Sequence, residues 1–556
     1  MKLLHFELIG QYKGLANQRF DFSDAPGKVI ALVGLNGSGK SQLMELIAEA
    51  FAYLERRKRA DFRARKTLKY RFILAYEWSG GSNNREPLKR YTAHLQADQK
   101  ILISTSTQIS GTNMENDASQ WVPDTISTLE NLPLPRVIGY ASGLNENLQR
   151  SFMRNALEYF DVIRVRSRRR IELARPNVDA DDFEQINDKY RRQFPGIFGA
   201  PTDVTENPLH TLEADTPLPN SLYLDYDCTN LVIAALGLLK NSERNELWPE
   251  IRLRHPSKAV LRYDLQHVPV EQDSIEDLKQ LIRAVGEDNI KGLTNQTTDD
   301  QYELYELNYL RAEITIDFTN KIITERLRET YIDPVRLFWK LYKIQLLGVK
   351  RWPLDIRKTL RNDSLIGHIK KPLKGKLPLT VKDLQLSDGN NFAPIDDLSD
   401  GEAQLLHTIG AVRLFGEAES LFIFDEPETH LNPSWRTRFH IDLEQAGRNL
   451  TTSQALISSH SPFLISSLHR ESVFYFEKSD DQSTMASPPS ETFGASFEVL
   501  IKKFFGLRSA ISQTAVNEIN RHLHDQSTDN NHKLEWIESQ LGESMERAYI
   551  LQRLRS

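Results

Sequence analysis

The sequence predicts an α/β fold with a mixed or parallel central sheet, an N-terminal β-rich subdomain and a largely helical insert. Three observations lead to this prediction. Apolar runs at 29–33, 137–141 and 421–424 are typical of strands that are buried on both faces. The first run leads through a glycine-rich turn into a helical pattern, so strand, turn and helix follow one another. Between about 150 and 385, apolar residues recur mainly at three- and four-residue spacing, which indicates helices.

The first 145 residues are predicted to form one half of the central domain, rich in strands around a single helix. Alternating apolar residues predict strands near 4–8 and 20–22. Apolar residues at helical spacing between 43 and 54 predict a helix that starts at about Ser41 and runs into a basic stretch. Three further strands are expected at 70–76, 88–95 and 101–104, and a polar loop is expected at 105–135.

The rest of the chain is predicted to form three parts. Residues 146–385 are the mainly helical insert, 386–510 the second half of the central domain, and 511–556 a helical tail. Within the insert and the second half, helices are expected at 146–170, 275–285 and 304–342, and a loop at 479–490. Neither a repeat of 20–50 residues nor a sustained heptad pattern occurs, so a solenoid and a long coiled coil are excluded.

The composition is that of a soluble globular protein. The 556 residues are 40% hydrophobic and 26% charged, which excludes collagen-like and disordered chains. Cys228 is the single cysteine, so an intramolecular disulfide is excluded and a reducing compartment is favoured. No apolar run is long enough for a membrane span, and the first residues do not form a signal peptide. We therefore expect a cytoplasmic protein with no membrane partner.

The net charge of −6 is distributed unevenly along the chain. Residues 55–70, 150–170 and 341–382 carry net charges of +6, +5 and +9, so the remainder carries −26. Such segregation is expected of a protein that contacts a polyanion, and it equally fits basic faces that pair with the acidic remainder. The candidates for contact with nucleic acid are Arg164, Arg166, Arg168, Arg169 and Arg170.

The turn after the first apolar run has the pattern of a phosphate-binding loop. Residues 34–41, GLNGSGKS, fit G-x-x-x-x-G-K-[ST] between a buried strand and a helix. Backbone N–H groups of such a loop surround phosphate oxygens, and the helix N-terminus faces them. Lys40 would neutralise the outer phosphates and Ser41 would bind Mg²⁺. The predicted ATP-binding residues are Gly34, Asn36, Gly37, Ser38, Gly39, Lys40 and Ser41.

Polar residues follow two later apolar runs, as expected for the same edge of a parallel sheet. Asp425 and Glu426 come directly after the run at 421–424. Their position predicts Asp425 as a Mg²⁺ ligand and Glu426 as the group that orients or deprotonates the attacking water. His460 follows the run at 455–457 and is a candidate partner of the γ-phosphate or that water, the alternative being a capping or partly buried histidine.

A second turn of phosphate-binding type precedes a helical pattern at 405–412. It comprises Leu398, Ser399, Asp400, Gly401 and Glu402. The Ser399 hydroxyl, the Gly401 N–H and the helix N-terminus would act as donors. Because one nucleotide needs one such loop, we expect this second turn to cover the nucleotide bound to another copy of the chain.

Taken together, the motifs resemble those of ABC-type ATPases of the SMC/RecF/OLD-like branch. GLNGSGKS is similar to their Walker A motif, LSDGE to their signature, FIFDEPETHLNP to their Walker B motif and D-loop, and SSHSPF to their switch histidine. The resemblance covers roughly 1–145 and 385–510. It implies an ABC-type ATPase head, and a homodimer or higher oligomer with two ATP molecules between the Walker A motif of one subunit and the signature of the other. Asp400 and Glu402 depart from the usual Gly and Gln.

Within that branch, the chain resembles the PtuA ATPases of Septu-type and retron-associated anti-phage systems. The resemblance rests on the LSDGE variant, the overall length and the lack of a nuclease motif. It implies a sensor or regulator ATPase with an HNH nuclease partner, and in retrons a reverse transcriptase with its RNA and DNA. A RecF-like DNA-repair ATPase is the alternative. An ABC importer subunit is disfavoured, because its inserts are short.

Overall fold

The computed structural model describes residues 1–26, 28–63, 67–80, 87–109, 120–123, 128–142, 147–175, 177–199, 216–293, 307–361, 377–479, 482–507, 511–525 and 527–555. Strands in these ranges form three sheets. Their bounds are β1 Lys2–Tyr12, β2 Leu15–Asp21, β3 Val29–Gly34, β4 Arg71–Trp78, β5 Lys89–Leu95, β6 Ile101–Ile109, β7 Gln120–Pro123, β8 Arg136–Ala141, β9 Ser221–Tyr223, β10 His255–Asp264, β11 Ile290–Gly292, β12 Arg311–Asp317, β13 Leu379–Ser387, β14 Phe392–Pro394, β15 Ser420–Asp425, β16 Gln454–Ser458, β17 Val473–Ser479 and β18 Gln482–Ala486.

The central sheet has seven strands and is mostly parallel. Its order is β18-β17-β3-β16-β15-β8-β9, and the pairs from β17 to β9 are parallel, whereas β18 is antiparallel to β17. Strands from the first and second halves of the sequence are therefore interleaved in one sheet. The predicted α/β class with a mixed central sheet is confirmed.

Two hydrophobic cores flank the central sheet. Alternate residues of β3 point into them, with Ala31 and Val33 on one side and Ile30 and Leu32 on the other. Burial on both faces explains why the sequence of β3 is a continuous apolar run rather than an alternating one.

The other two sheets are antiparallel. The N-terminal sheet has the order β2-β1-β4-β5-β6-β7 and includes the strands predicted at 70–76, 88–95 and 101–104. The third sheet, of order β11-β12-β10-β13-β14, is built largely from the segment between the two halves of the central domain.

Helices cover the sheets and form the end of the chain. Their bounds are α1 Lys40–Lys58, α2 Gln149–Leu173, α3 Ala180–Gln193, α4 Pro195–Phe198, α5 Tyr226–Leu236, α6 Asn241–Leu247, α7 Gln272–Val285, α8 Lys321–Tyr331, α9 Pro334–Leu346, α10 Leu354–Arg361, α11 Asp400–Phe415, α12 Pro433–Ala446, α13 Pro462–Ser466, α14 Phe497–Phe504, α15 Gln513–His524, α16 Asn530–Gln540 and α17 Met545–Arg555. None of the helices in the described ranges has the length and apolar character needed to cross a membrane.

Three sequence predictions differ from the structure. The helix expected at 304–342 is wrong at β12, where buried Ala312, Ile314 and Ile316 alternate with less buried residues in a strand pattern. The insert at 146–385 accordingly contains strands as well as helices.

The loop expected at 105–135 contains the end of β6 and the whole of β7, and the loop expected at 479–490 contains β18, because neighbouring strands supply hydrogen bonds to these polar segments. The predicted start of α2 at 146 lies outside the described residues.

Candidate nucleotide site

The phosphate-loop sequence lies between β3 and α1, as predicted. Gly34, Gly37 and Gly39 have φ of 139°, 77° and 105°, in the region that favours glycine. A Cβ on Gly34 would lie 2.5 Å from the carbonyl oxygen of Phe476 on β17, so this position also needs a close backbone approach. The loop conformation and the packing of β3 against β17 both depend on these glycines.

Lys40 is folded back onto the loop. Its Nζ donates to the carbonyl oxygens of Gly34 at 2.8 Å and Leu35 at 3.0 Å. Burial lowers the pKa of Lys40 to about 8, although the nearby charges of Glu426 and Asp425 act in the opposite direction. A cation that is buried in this way is stabilised by any anion that enters the loop.

Asp425 and Ser41 meet although 384 positions separate them in the chain. The Ser41 hydroxyl donates to Asp425 Oδ2 at 2.9 Å and lies 3.2 Å from Oδ1. Asp425 is the last residue of β15, and the Ser458 hydroxyl at the end of β16 also donates to it. A hydroxyl and a carboxylate side by side are oxygen ligands of the kind that Mg²⁺ prefers.

The donor set fits a cation that is shared with a bound phosphate. Among the residues that the structure describes, no group of three or more His, Cys, Asp and Glu side chains could hold a metal. Mg²⁺ is commonly held by one or two protein oxygens, substrate phosphates and water. Ser41 and Asp425 match that pattern, because the loop at 34–40 lies directly beside them.

Glu426 follows Asp425 in a left-handed backbone conformation, with φ of 51°. Its N–H is shared between the carbonyl oxygen of Ser458 at 3.2 Å and the hydroxyl of Ser458 at 3.1 Å. Glu426 Oε1 lies 3.2 Å from His460 Nε2, and Thr429 Oγ1 donates to Glu426 Oε2 at 3.3 Å. The contact with His460 is the main cause that lowers the pKa of Glu426. Glu426 is therefore an ionised, partly exposed carboxylate beside Lys40.

The residues 398–402 open α11, as predicted. Ser399 is the N-cap: its hydroxyl accepts from the N–H of Glu402 at 3.3 Å, and its own N–H donates to Glu402 Oε2 at 3.0 Å. This capping box gives the carboxylate at 402, which stands in place of the usual Gln, a role in starting the helix. Ser399 and Asp400 are exposed, whereas Gly401 is buried against the backbone of His430.

Several groups around the site carried no prediction. Ser458 contacts both Asp425 and Glu426, and buried Glu428 accepts a hydrogen bond from Ser459. Gln404 on α11 accepts from the N–H of His430 at 2.9 Å and donates to the hydroxyl of Tyr140 at 3.2 Å. The sequence S-S-H after an apolar run places Ser458 and Ser459 at the end of a strand. Because polar residues are common at strand ends, this pattern alone does not predict their contacts with the acids.

The five arginines proposed for nucleic acid all lie on α2, and several contact other parts of the chain. Arg166 Nη1 lies 3.2 Å from Glu271 Oε1. Arg170 donates to the carbonyl oxygen of Val270 at 2.6 Å, and Arg169 donates to Asn187 at 2.8 Å. Arg164 and Arg168 are exposed, and Arg164 pairs with Asp161 on the same helix at 3.1 Å. Three of the five therefore bond to residues outside α2.

A family comparison matches the part of the chain that carries the second half of the site. Residues 270–466 match a family model described as AAA domain, putative AbiEii toxin, Type IV TA system. The match includes Ser399, Asp425, Glu426 and His460, whereas the loop at 34–41 lies outside it. Together with the geometry above, the match supports an ATPase domain.

Known proteins with local or distant similarity include a phage protein, an SMC head and the recombination mediator protein RecF. Protein ea59 of Escherichia phage lambda is 31% identical over 141 residues, which are 25% of this chain and 25% of ea59. An SMC head bound to the C-winged helix domain of ScpA and RecF bound to ATP each have a TM-score of 0.30 and 11% identity. They cover 88% and 87% of this chain, and 98% and 99% of their own chains. At TM-scores this low, the similarities do not establish a shared fold.

Proposed function

We propose that this protein is an ATP-binding and ATP-hydrolysing ABC-type ATPase of the SMC/RecF/OLD-like branch. The contact of Ser41 with Asp425, beside Lys40 and Glu426, is the observation that carries the proposal. It joins the two motifs that the chemistry requires, one from each half of the chain. Lys40 and the N–H groups of the loop bind the phosphates, and Ser41 and Asp425 hold Mg²⁺.

In the proposed reaction, water attacks the γ-phosphorus and the bond to the β–γ bridging oxygen breaks. The Glu426 carboxylate orients the water and accepts its proton, and the products are ADP and phosphate. Mg²⁺, when bound, neutralises charge on the phosphate oxygens. His460 stands 3.2 Å from Glu426 and holds this carboxylate in place until a γ-phosphate arrives. Ser399 and Gly401 act on the nucleotide of a second copy.

The wider role that we propose is control of a nuclease in a prokaryotic anti-phage complex, similar to PtuA. The motif set supports a defence role, and so does the match of residues 270–466 to a family model whose description includes a putative toxin. An HNH nuclease is the expected partner, with a reverse transcriptase and its RNA and DNA in a retron. Phage plating on cells that carry this gene with its neighbours tests the role. Equal plating with wild type and Glu426→Gln would contradict it.

The enzymatic proposal is tested with two substitutions in the site. Lys40→Ala should lose ATP affinity, because a buried cation that faces the phosphates is removed. Glu426→Gln should bind ATP but turn over at least about 100-fold more slowly, because the proton acceptor is removed. Nucleotide binding and phosphate release measure the two effects. Lys382→Ala, an exposed lysine that pairs with Glu313, is the control, and normal turnover in Glu426→Gln would refute the assignment.

A further inference from the structure

Glu428 is a buried carboxyl group that the proposed reaction does not use. It lies in the loop that follows Glu426, and only 4% of its surface is exposed. Its Oε1 accepts a hydrogen bond from the Ser459 hydroxyl. Within the described part of the chain, its Oε2 is buried without a hydrogen-bond partner. Burial of an incompletely bonded carboxyl group is costly, so an apolar residue would serve better if the loop only needed packing.

Ser459 connects Glu428 to the turn that carries His460. The Ser459 hydroxyl donates to Glu428 and also accepts from the N–H of Ser461 at 2.9 Å. The Ser459 hydroxyl thus connects Ser461, the residue after His460, to the side chain of Glu428. Ser459 is fully buried, so water cannot replace either contact from bulk solvent.

The turn and the loop after Glu426 are joined at two points. The first is the N–H of Glu426, which donates to Ser458. The second is the side-chain contact of Glu428 with Ser459. The side chains of His460 and Glu426 are themselves 3.2 Å apart. The first contact fixes the backbone of Glu426, and the second fixes the turn from which His460 projects.

We propose that Glu428 is a positioning residue, which acts through Ser459 to orient His460 against Glu426. The proposal rests on the function proposed above and extends it to a residue that does not touch the nucleotide. A carboxyl and an amide oxygen can both accept from Ser459, whereas an alkyl group cannot. Burial raises the pKa of Glu428 to about 7, so much of it is neutral near neutral pH and an amide is a close substitute. The other charged groups that act on it are Glu426 and Arg436.

Three variants test this role by steady-state ATP hydrolysis. Glu428→Leu and Ser459→Ala should each lower kcat by about 10- to 100-fold with little change in KM, because the acceptor or the donor of the contact is lost. Glu428→Gln should restore most of the wild-type kcat. The double variant Glu428→Leu/Ser459→Ala should be no slower than the slower single variant, since both remove one contact.

The controls separate this inference from the function on which it rests. If wild type hydrolyses ATP and Glu426→Gln does not, the proposed ATPase function holds. In that case, a Ser459→Ala variant with the kcat of wild type overturns the positioning role of Glu428. A parallel loss of ATP affinity and kcat in both Glu428→Gln and Ser459→Ala also overturns it, because a general loss of structure would be the cause. Ser459→Ala removes a single oxygen, so it keeps the test decisive even where Glu428→Leu does not fold.

Discussion

Ser458 illustrates how one small side chain organises the site. It is the last residue of β16, its hydroxyl donates to Asp425, and both its oxygens accept from the N–H of Glu426. The two neighbouring acids, which the proposed mechanism assigns different roles, are thus held by one residue of the adjacent strand. A serine in this position satisfies a buried carboxylate without adding a charge, which leaves Lys40 as the nearby cation that acts on both acids.

Gly401, in the first turn of α11, lies close to the backbone of the loop after β15. A Cβ at Gly401 would lie 2.8 Å from the carbonyl oxygen of His430, which is closer than Cβ atoms approach in proteins. Because that oxygen belongs to the backbone, Gly401→Ala must displace the helix or the loop. We expect a loss of about 1–3 kcal/mol in the free energy of unfolding and slower ATP turnover, measured by urea unfolding and phosphate release.

Gly542→Ala is the matched control for this prediction. An added Cβ at Gly542 meets nothing within 4 Å, and its φ is not positive. This variant should unfold at the wild-type urea concentration. Equal stability of Gly401→Ala and Gly542→Ala would show that α11 and the loop do not pack as tightly as the structure indicates.

At the scale of elements, parallel strand ends explain why the site could be predicted. Strands β3, β15 and β16 are parallel neighbours, so Lys40, Asp425 and His460 had to come to one edge of the sheet. An apolar run followed by a polar residue signals such an end. Glu428 and Gln404 could not be predicted in the same way, because their contacts depend on how a loop and α11 pack, and sequence spacing does not determine that.

The elements that the sequence analysis missed share one physical cause. β18 reads as a loop by composition, but β17 supplies its hydrogen-bond partners. β12 lies in a stretch of helical composition, yet its buried and less buried residues alternate as in a strand, and it pairs with β10 on one side and β11 on the other. In both cases hydrogen bonds to a partner strand override the local composition.

Helix α2 allows a prediction that separates structural from exposed arginines. The side chain of Arg166 is 16% exposed and pairs with Glu271, which also accepts from the Thr216 hydroxyl at 2.5 Å. Arg166→Ala should lower the free energy of unfolding by about 1–3 kcal/mol, because it leaves a buried carboxylate with fewer partners. The side chain of Arg164 is 44% exposed, so Arg164→Ala should change the free energy of unfolding by less than about 0.5 kcal/mol.

Urea unfolding of the two variants decides between these roles. Equal effects would place Arg166 on the surface in solution, contrary to the structure. With the expected difference, the proposal of a nucleic-acid contact on α2 narrows to the exposed Arg164 and Arg168, since Arg166, Arg169 and Arg170 bond to residues outside this helix.

At the scale of the whole molecule, the central sheet joins distant parts of the sequence into one candidate nucleotide site. Lys40, Ser41, Asp425 and Glu426 meet within one chain. Ser399 instead lies at an exposed helix start, where its hydroxyl bonds to Glu402. An exposed turn of this kind is what a site completed by a second copy requires, because the turn must face a nucleotide that another chain holds.

Mixing two inactive variants tests whether a second copy completes the site. Lys40→Ala and Ser399→Arg should each be inactive alone, whereas a mixed dimer has one intact site, formed by Lys40 of one chain and Ser399 of the other. Random pairing of equal amounts should restore about a quarter of the wild-type ATPase rate. Lys40→Ala mixed with Glu426→Gln should restore nothing, because both residues belong to the same half-site. If the first mixture also stays inactive while both proteins are folded, the signature turn does not act across a dimer.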